Sequence, residues 1–62
     1  MNYRVWIVNL ENYAARVAED YGKDTVYRIL SKYNARTVYD LSPLYFDDVF
    51  GELEALLAAA DD

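Results

Sequence analysis

Ser42-Pro43-Leu44-Tyr45-Phe46-Asp47-Asp48-Val49-Phe50-Gly51-Glu52-Leu53-Glu54-Ala55-Leu56-Leu57-Ala58-Ala59-Ala60 is the stretch on which the reading of this chain turns. Serine before proline is a helix start: the hydroxyl caps, and the ring presets the first helical residue. Phe46, Val49, Phe50, Leu53, Leu56, Leu57 and Ala60 then recur at three- and four-residue spacing. That spacing predicts a helix over 43–60 with one apolar stripe. Asp47, Asp48, Glu52 and Glu54 fall off the stripe. The first two also lie where the helix dipole favours negative charge. Gly51 interrupts the polar side at a cost of up to ~1 kcal/mol against alanine. Either the helix tolerates it, or another backbone approaches closely there.

Working back from this helix, Thr37 is placed to cap a single turn through Val38-Tyr39-Asp40-Leu41. A shorter helix is predicted over 25–33, with Asp24 as its cap, Val26, Ile29, Leu30 and Tyr33 as its buried face, and Asn34 as its end. A third is predicted over 10–21 from Leu10, Tyr13, Ala14, Val17 and Tyr21, with Asn9 as cap and Gly22 as stop. Arg16-Val17 leading to Tyr21-Gly22 is echoed by Arg28-Ile29 leading to Tyr33-Asn34. We read the echo as two helix ends, because glycine and asparagine accept the left-handed backbone that closes a helix.

Residues 3–8, Tyr-Arg-Val-Trp-Ile-Val, admit two readings. Their β-branched and aromatic side chains favour a strand. A lone strand, however, leaves its backbone groups without partners unless it pairs across a dimer. The alternative is a helical extension of 10–21. The expected fold is therefore mostly α, a small three-helix domain in which 3–8 is a strand or a helix extension.

Composition narrows function by exclusion. The 62 residues contain no cysteine and no histidine, which removes disulfides, thiolate chemistry and the commonest zinc ligand and general base. Ser31 and Ser42 have no evident base beside them, and two glycines cannot build a phosphate-cradling loop. No catalytic residue, cofactor site or metal site is expected, and the chain is read as a non-enzyme. Asp47, Asp48 and Glu52 lack the loop spacing of a hard-cation site, and Asp61-Asp62 reads as a frayed acidic tail.

The net charge of −5 is unevenly placed. Residues 23–36 are basic through Lys23, Arg28, Lys32 and Arg36, whereas 37–62 contain no basic residue. Eleven acidic residues against six basic ones argue against direct nucleic-acid binding, and the uneven placement bears on packing. It allows the middle and last helices to face each other, or to hold two subunits in register. Val5-Trp6-Ile7-Val8 is too short to span a bilayer and lacks the features of a leader, so a cytoplasmic protein is expected. A 62-residue chain without disulfide or metal has a marginal core. With 55% hydrophobic residues and ten aromatics, seven of them tyrosine, a protein partner or a homodimer is the expected support.

Two surface features are candidates for such contact. Trp6 has the chemistry of a binding anchor, although in a chain this small tryptophan more often belongs to the core or a dimer interface. The carboxylates Asp47, Asp48, Glu52 and Glu54 read either as a solvated face or as an imitation of phosphate charge aimed at a basic cleft.

Val5-Trp6-Ile7-Val8-Asn9-Leu10 with Asn12-Tyr13 resembles the opening strand of bacterial antirestriction proteins, a family of acidic DNA mimics, over about nine residues; Ala14-Ala15 stands where that family continues with glycine and tryptophan. A second resemblance runs through Tyr21-Gly22, Asp24-Thr25-Val26, Lys32-Tyr33, Asp40-Leu41, Pro43, Tyr45, Asp48-Val49-Phe50 and Glu52-Leu53. Over roughly residues 20–53 the chain looks like short uncharacterised proteins of bacterial mobile elements and phages. This resemblance implies a shared fold and genetic setting and carries over no activity. The apolar content without catalytic residues leads to the expectation of a non-catalytic accessory protein of such an element, and the acidic last helix to the alternative of an inhibitor of a restriction or CRISPR nuclease.

Overall fold

The computed structural model describes residues 2–60; Asp61 and Asp62, read above as an acidic tail, lie outside the described residues. Three helices and two single turns follow in order: α1 (Tyr3–Tyr21), α2 (Lys23–Ser31), 3-10 turns at Val38–Asp40 and Pro43–Tyr45, and α3 (Phe46–Ala60). No strand occurs among the described residues. The open choice at 3–8 falls to the helix. The cap is Asn2, whose side chain accepts from the Val5 backbone N–H at 2.9 Å. Asn9 is therefore not a cap: it lies inside α1, and its side-chain amide donates to the Val5 carbonyl at 3.0 Å. Nineteen residues at about 1.5 Å each give α1 roughly 28 Å, which accounts for most of the molecule's 31 Å long axis.

α1 and α2 are separated by Gly22 alone. Its φ of 94° and ψ of 156° are open in practice only to glycine. The Gly22 N–H still donates to Ala18 at 2.9 Å, finishing α1, and its carbonyl accepts from Thr25 at 3.2 Å, beginning α2. Asp24 accordingly does not cap α2. Gly22 holds that place without a side-chain bond, and Asp24 sits in the first turn, where its charge suits the dipole.

At the other end of α2, Asn34 has φ 61°. The Asn34 N–H donates to Ser31 at 3.1 Å and the Ala35 N–H to Leu30 at 3.1 Å, the paired bonds of a Schellman closure. Gly22 and Asn34 are the two positive-φ residues among those described, so the sequence echo does mark two helix ends. Thr37 caps the first 3-10 turn through Asp40. Ser42 accepts from the Leu44 N–H, with Pro43 in the first turn as expected. That start is a 3-10 turn, and α3 proper begins at Phe46.

Every buried side chain among the described residues is apolar. Leu10 and Val17 of α1 meet Val49 and Leu53 of α3 at the fully buried centre, with Ile29, Leu30, Val38, Leu41, Phe46 and Leu57 around them. α1 packs on both other helices, while α2 and α3 touch each other less. Phe50 and Leu56 are half-buried, and Ala60, expected on the stripe, is exposed. The stripe simply outruns the helices it packs against. A Cβ built on Gly51 meets nothing within 4 Å, so this glycine is tolerated and makes room for no other backbone.

Candidate functional site

The two long faces of α1 differ in side-chain size, and the difference determines where a surface opens. Toward α3 the faces meet through rings. Tyr3 and Trp6 lie 5.6 and 5.9 Å from Phe46, Trp6 meets Phe50 edge-on at 5.8 Å, and Tyr13 stacks on Phe50 at 4.6 Å. Arg16 lies over the outer face of Tyr13, 5.7 Å from the ring centre. Trp6 is half-buried in this seam, so most of its contact is internal. At the far end the Tyr21 hydroxyl donates to the Leu56 carbonyl at 2.7 Å, tying the end of α1 to α3.

The carboxylates do not form one patch. Successive residues of a helix turn by about 100°, which sets Asp48 and Glu52 on one flank of the α3 stripe and Asp47 and Glu54 on the other. Glu52 is engaged from the turn that closes α2: Lys32 Nζ forms an ion pair with Oε1, and the Tyr33 hydroxyl donates to Oε2 at 2.6 Å. The Lys32 contact first, then the Tyr33 bond, hold the Glu52 carboxyl below its usual range. The same bond raises Tyr33 to about 12, with the negative charge of Asp48 adding to the effect. Tyr33 also leans on Tyr45, with ring centres 5.1 Å apart. Asp47, Asp48 and Glu54 are exposed and form no ion pair among the described residues. Nor does any group of three carboxylates among the described residues gather closely enough to hold a metal ion.

On its other face, toward α2 and the Val38–Asp40 turn, α1 presents Ala14, Ala15 and Ala18. Side chains this small leave a trough of about 400 Å³. Its walls are Tyr27, 56% exposed, and Tyr39, 62% exposed. Tyr39 is tied to α1 by its hydroxyl, which donates to Glu11 at 2.8 Å and is thereby raised in pKa. Lys23 and Arg36 stand at the rim, neither with an ion-pair partner among the described residues. Beyond the Tyr39–Glu11 bond, a second depression continues along α1 past Val8 to Tyr3.

The sequence reading missed this trough. The one available signal was the run of small residues at 14, 15 and 18, which lies beside the buried face of α1 and leaves it unfilled. No helix of the described residues is long and apolar enough to cross a membrane. The chain matches no protein-family model, no curated protein and no solved structure.

Proposed function

We propose that this chain is a non-catalytic accessory protein that works by binding another protein, and that the alanine-floored trough on α1 is its contact surface. The observation that carries this is the pairing of an apolar floor with two exposed tyrosines. Tyrosine offers a large contact area with a polar tip at small entropic cost, which is why it recurs at binding hot spots. Tyr39 is also preorganised by its bond to Glu11, so less ordering is left for the moment of binding. The resemblance over residues 20–53 supports a setting in a phage or mobile element, working in the bacterial cytoplasm.

The test is a capture experiment with tagged wild type and Ala15→Trp. Ala15 is exposed on α1, so the indole fills the trough without entering the core. We expect the variant to keep the helical circular-dichroism spectrum and to lose the proteins that wild type retains. Identical capture by both would rule the trough out.

A second reading rests on Asp47 and Glu54 on one flank of α3 and Asp48 on the other, three exposed carboxylates on a helix without a basic residue. They support inhibition of a nucleic-acid enzyme, such as a restriction or CRISPR nuclease, through charge complementarity. Glu52 takes no part in this version, since Lys32 already engages it. Salt-sensitive binding to such an enzyme should weaken in the Asp47→Asn, Asp48→Asn, Glu54→Gln variant. Unchanged affinity would dispose of it.

A further inference from the structure

The trough has a counterpart on the same chain. Leu44 is 83% exposed, the highest value among the exposed large hydrophobic residues described. Its place is fixed: it sits at the centre of the Pro43–Tyr45 turn, with its N–H directed to the Ser42 hydroxyl and the Tyr45 N–H donating to the Ser42 carbonyl at 2.9 Å. Proline on one side and a closed turn on the other make it a rigid apolar knob. Three and four residues further on stand Asp47 and Asp48, exposed and without ion-pair partners among the described residues. The recess thus carries Lys23 and Arg36 at its rim, and the knob carries two carboxylates beside it.

We infer that a second copy of this chain seats its Leu44 in the trough between Tyr27 and Tyr39, while its Asp47 and Asp48 meet Lys23 and Arg36. This rests on the trough being a contact surface, and it names the occupant. Charge complementarity selects a second copy of this chain. A chain of net charge −5 repels itself, unless the acidic start of α3 in one copy meets the basic rim in the other. Both halves of that contact are present on one sequence. An apolar contact at the centre with charges at its edge also has the layout of a specific interface.

The experiment measures mass in solution by analytical ultracentrifugation across a concentration series, at low and high salt. Wild type is expected to self-associate, less strongly at high salt. Leu44→Glu and Ala15→Trp, both at exposed positions, should each be monomeric with unchanged helicity, and their Tm should no longer depend on protein concentration. An equal mixture of the two should recover a heterodimer, because one variant keeps the trough and the other keeps the knob. Self-association that survives both substitutions, or a mixture that stays monomeric, overturns the inference. A monomeric wild type overturns it as well, and the capture experiment then separates the two ideas. If Ala15→Trp still loses a captured protein, the trough remains a contact surface for something else; if capture is untouched, both fall.

Discussion

α1 is one helix with two unlike sides. Toward α3 it offers Tyr3, Trp6 and Tyr13, and the seam closes ring against ring with centres 4.6 to 5.9 Å apart. Toward α2 and the Val38–Asp40 turn it offers Ala14, Ala15 and Ala18, and there the surface stays open. Large side chains bury area and exclude water, whereas alanine buries little and leaves space. A chain of this size has one marginal core. Concentrating ring burial on one seam leaves the other side open without weakening the fold.

The strongest way to break this comparison is to remove a ring from the closed side. Phe46 is 3% exposed and touches both Tyr3 and Trp6. Phe46→Ala should lose about 3–5 kcal/mol, comparable with the whole of about 3–5 kcal/mol that a core of this size supplies. We expect loss of the near-ultraviolet signal and no cooperative urea transition. Tyr27→Ala, on the open side, should shift the urea midpoint by no more than about 0.5 kcal/mol equivalent. Similar losses from both would mean that the two sides share the burden of stability.

That asymmetry was only half legible in the sequence. The closed side follows from the spacing of Phe46, Val49, Phe50, Leu53 and Leu57 behind Ser42-Pro43, because a helix start and a 3.6-residue period are local signals. Gly22 and Asn34 were legible for the same reason: each residue type matches the backbone it must adopt. Residues 3–8 were not, since Val5, Trp6, Ile7 and Val8 favour a strand by propensity. Packing of Tyr3, Trp6 and Ile7 on α3 overrides that preference. Two caps were misread: Asn9 fell inside α1 once the helix ran on through 3–8 to its cap at Asn2, and Gly22, two residues before Asp24, took the cap place of α2. The trough was illegible because its walls come from α2 and the Val38–Asp40 turn, and their approach to α1 is a tertiary fact. Glu52 was misassigned to a free acidic face for the same reason: nothing in its spacing reveals that Lys32 and Tyr33 pass beside it.

A smaller effect sharpens the contrast from the solvent side of α3. Gly51 lies in the helix interior with open space at its Cβ, so the chain bears the entropic disadvantage of glycine and gains no close packing from it. Gly51→Ala should therefore stabilise by about 0.8–1 kcal/mol. For a domain of 60–100 residues that corresponds to a rise in Tm of about 4–8 °C. A fall in Tm would reveal a contact at Gly51 that the fold does not contain.

The smallest effect concerns the one ion pair among the described residues, which joins the turn closing α2 to α3, the two helices that pack on each other least. Both ends are solvated, with the Lys32 side chain 57% and the Glu52 side chain 31% exposed. Solvent screening therefore limits the pair to about 0.2–1 kcal/mol in a double-mutant cycle of Lys32→Ala and Glu52→Ala. Its pH dependence has a definite sign. Glu52 is held below its usual range in the folded state, so the folded form binds this proton less readily than the unfolded form. The contribution is complete above the unfolded carboxyl value of about 4.3 and disappears as pH falls through the lower, folded value. Tyr33 behaves oppositely: raised from 10.0 to about 12, it contributes in full below pH 10 and loses that contribution as pH climbs toward 12. Urea titrations should therefore show the gap between wild type and Glu52→Gln constant around neutrality, narrowing in acid below about pH 4.3, and narrowing again in strong base. A gap that persists unchanged into acid would mean the carboxylate stabilises α2 against α3 by packing alone, with its charge irrelevant to the bond.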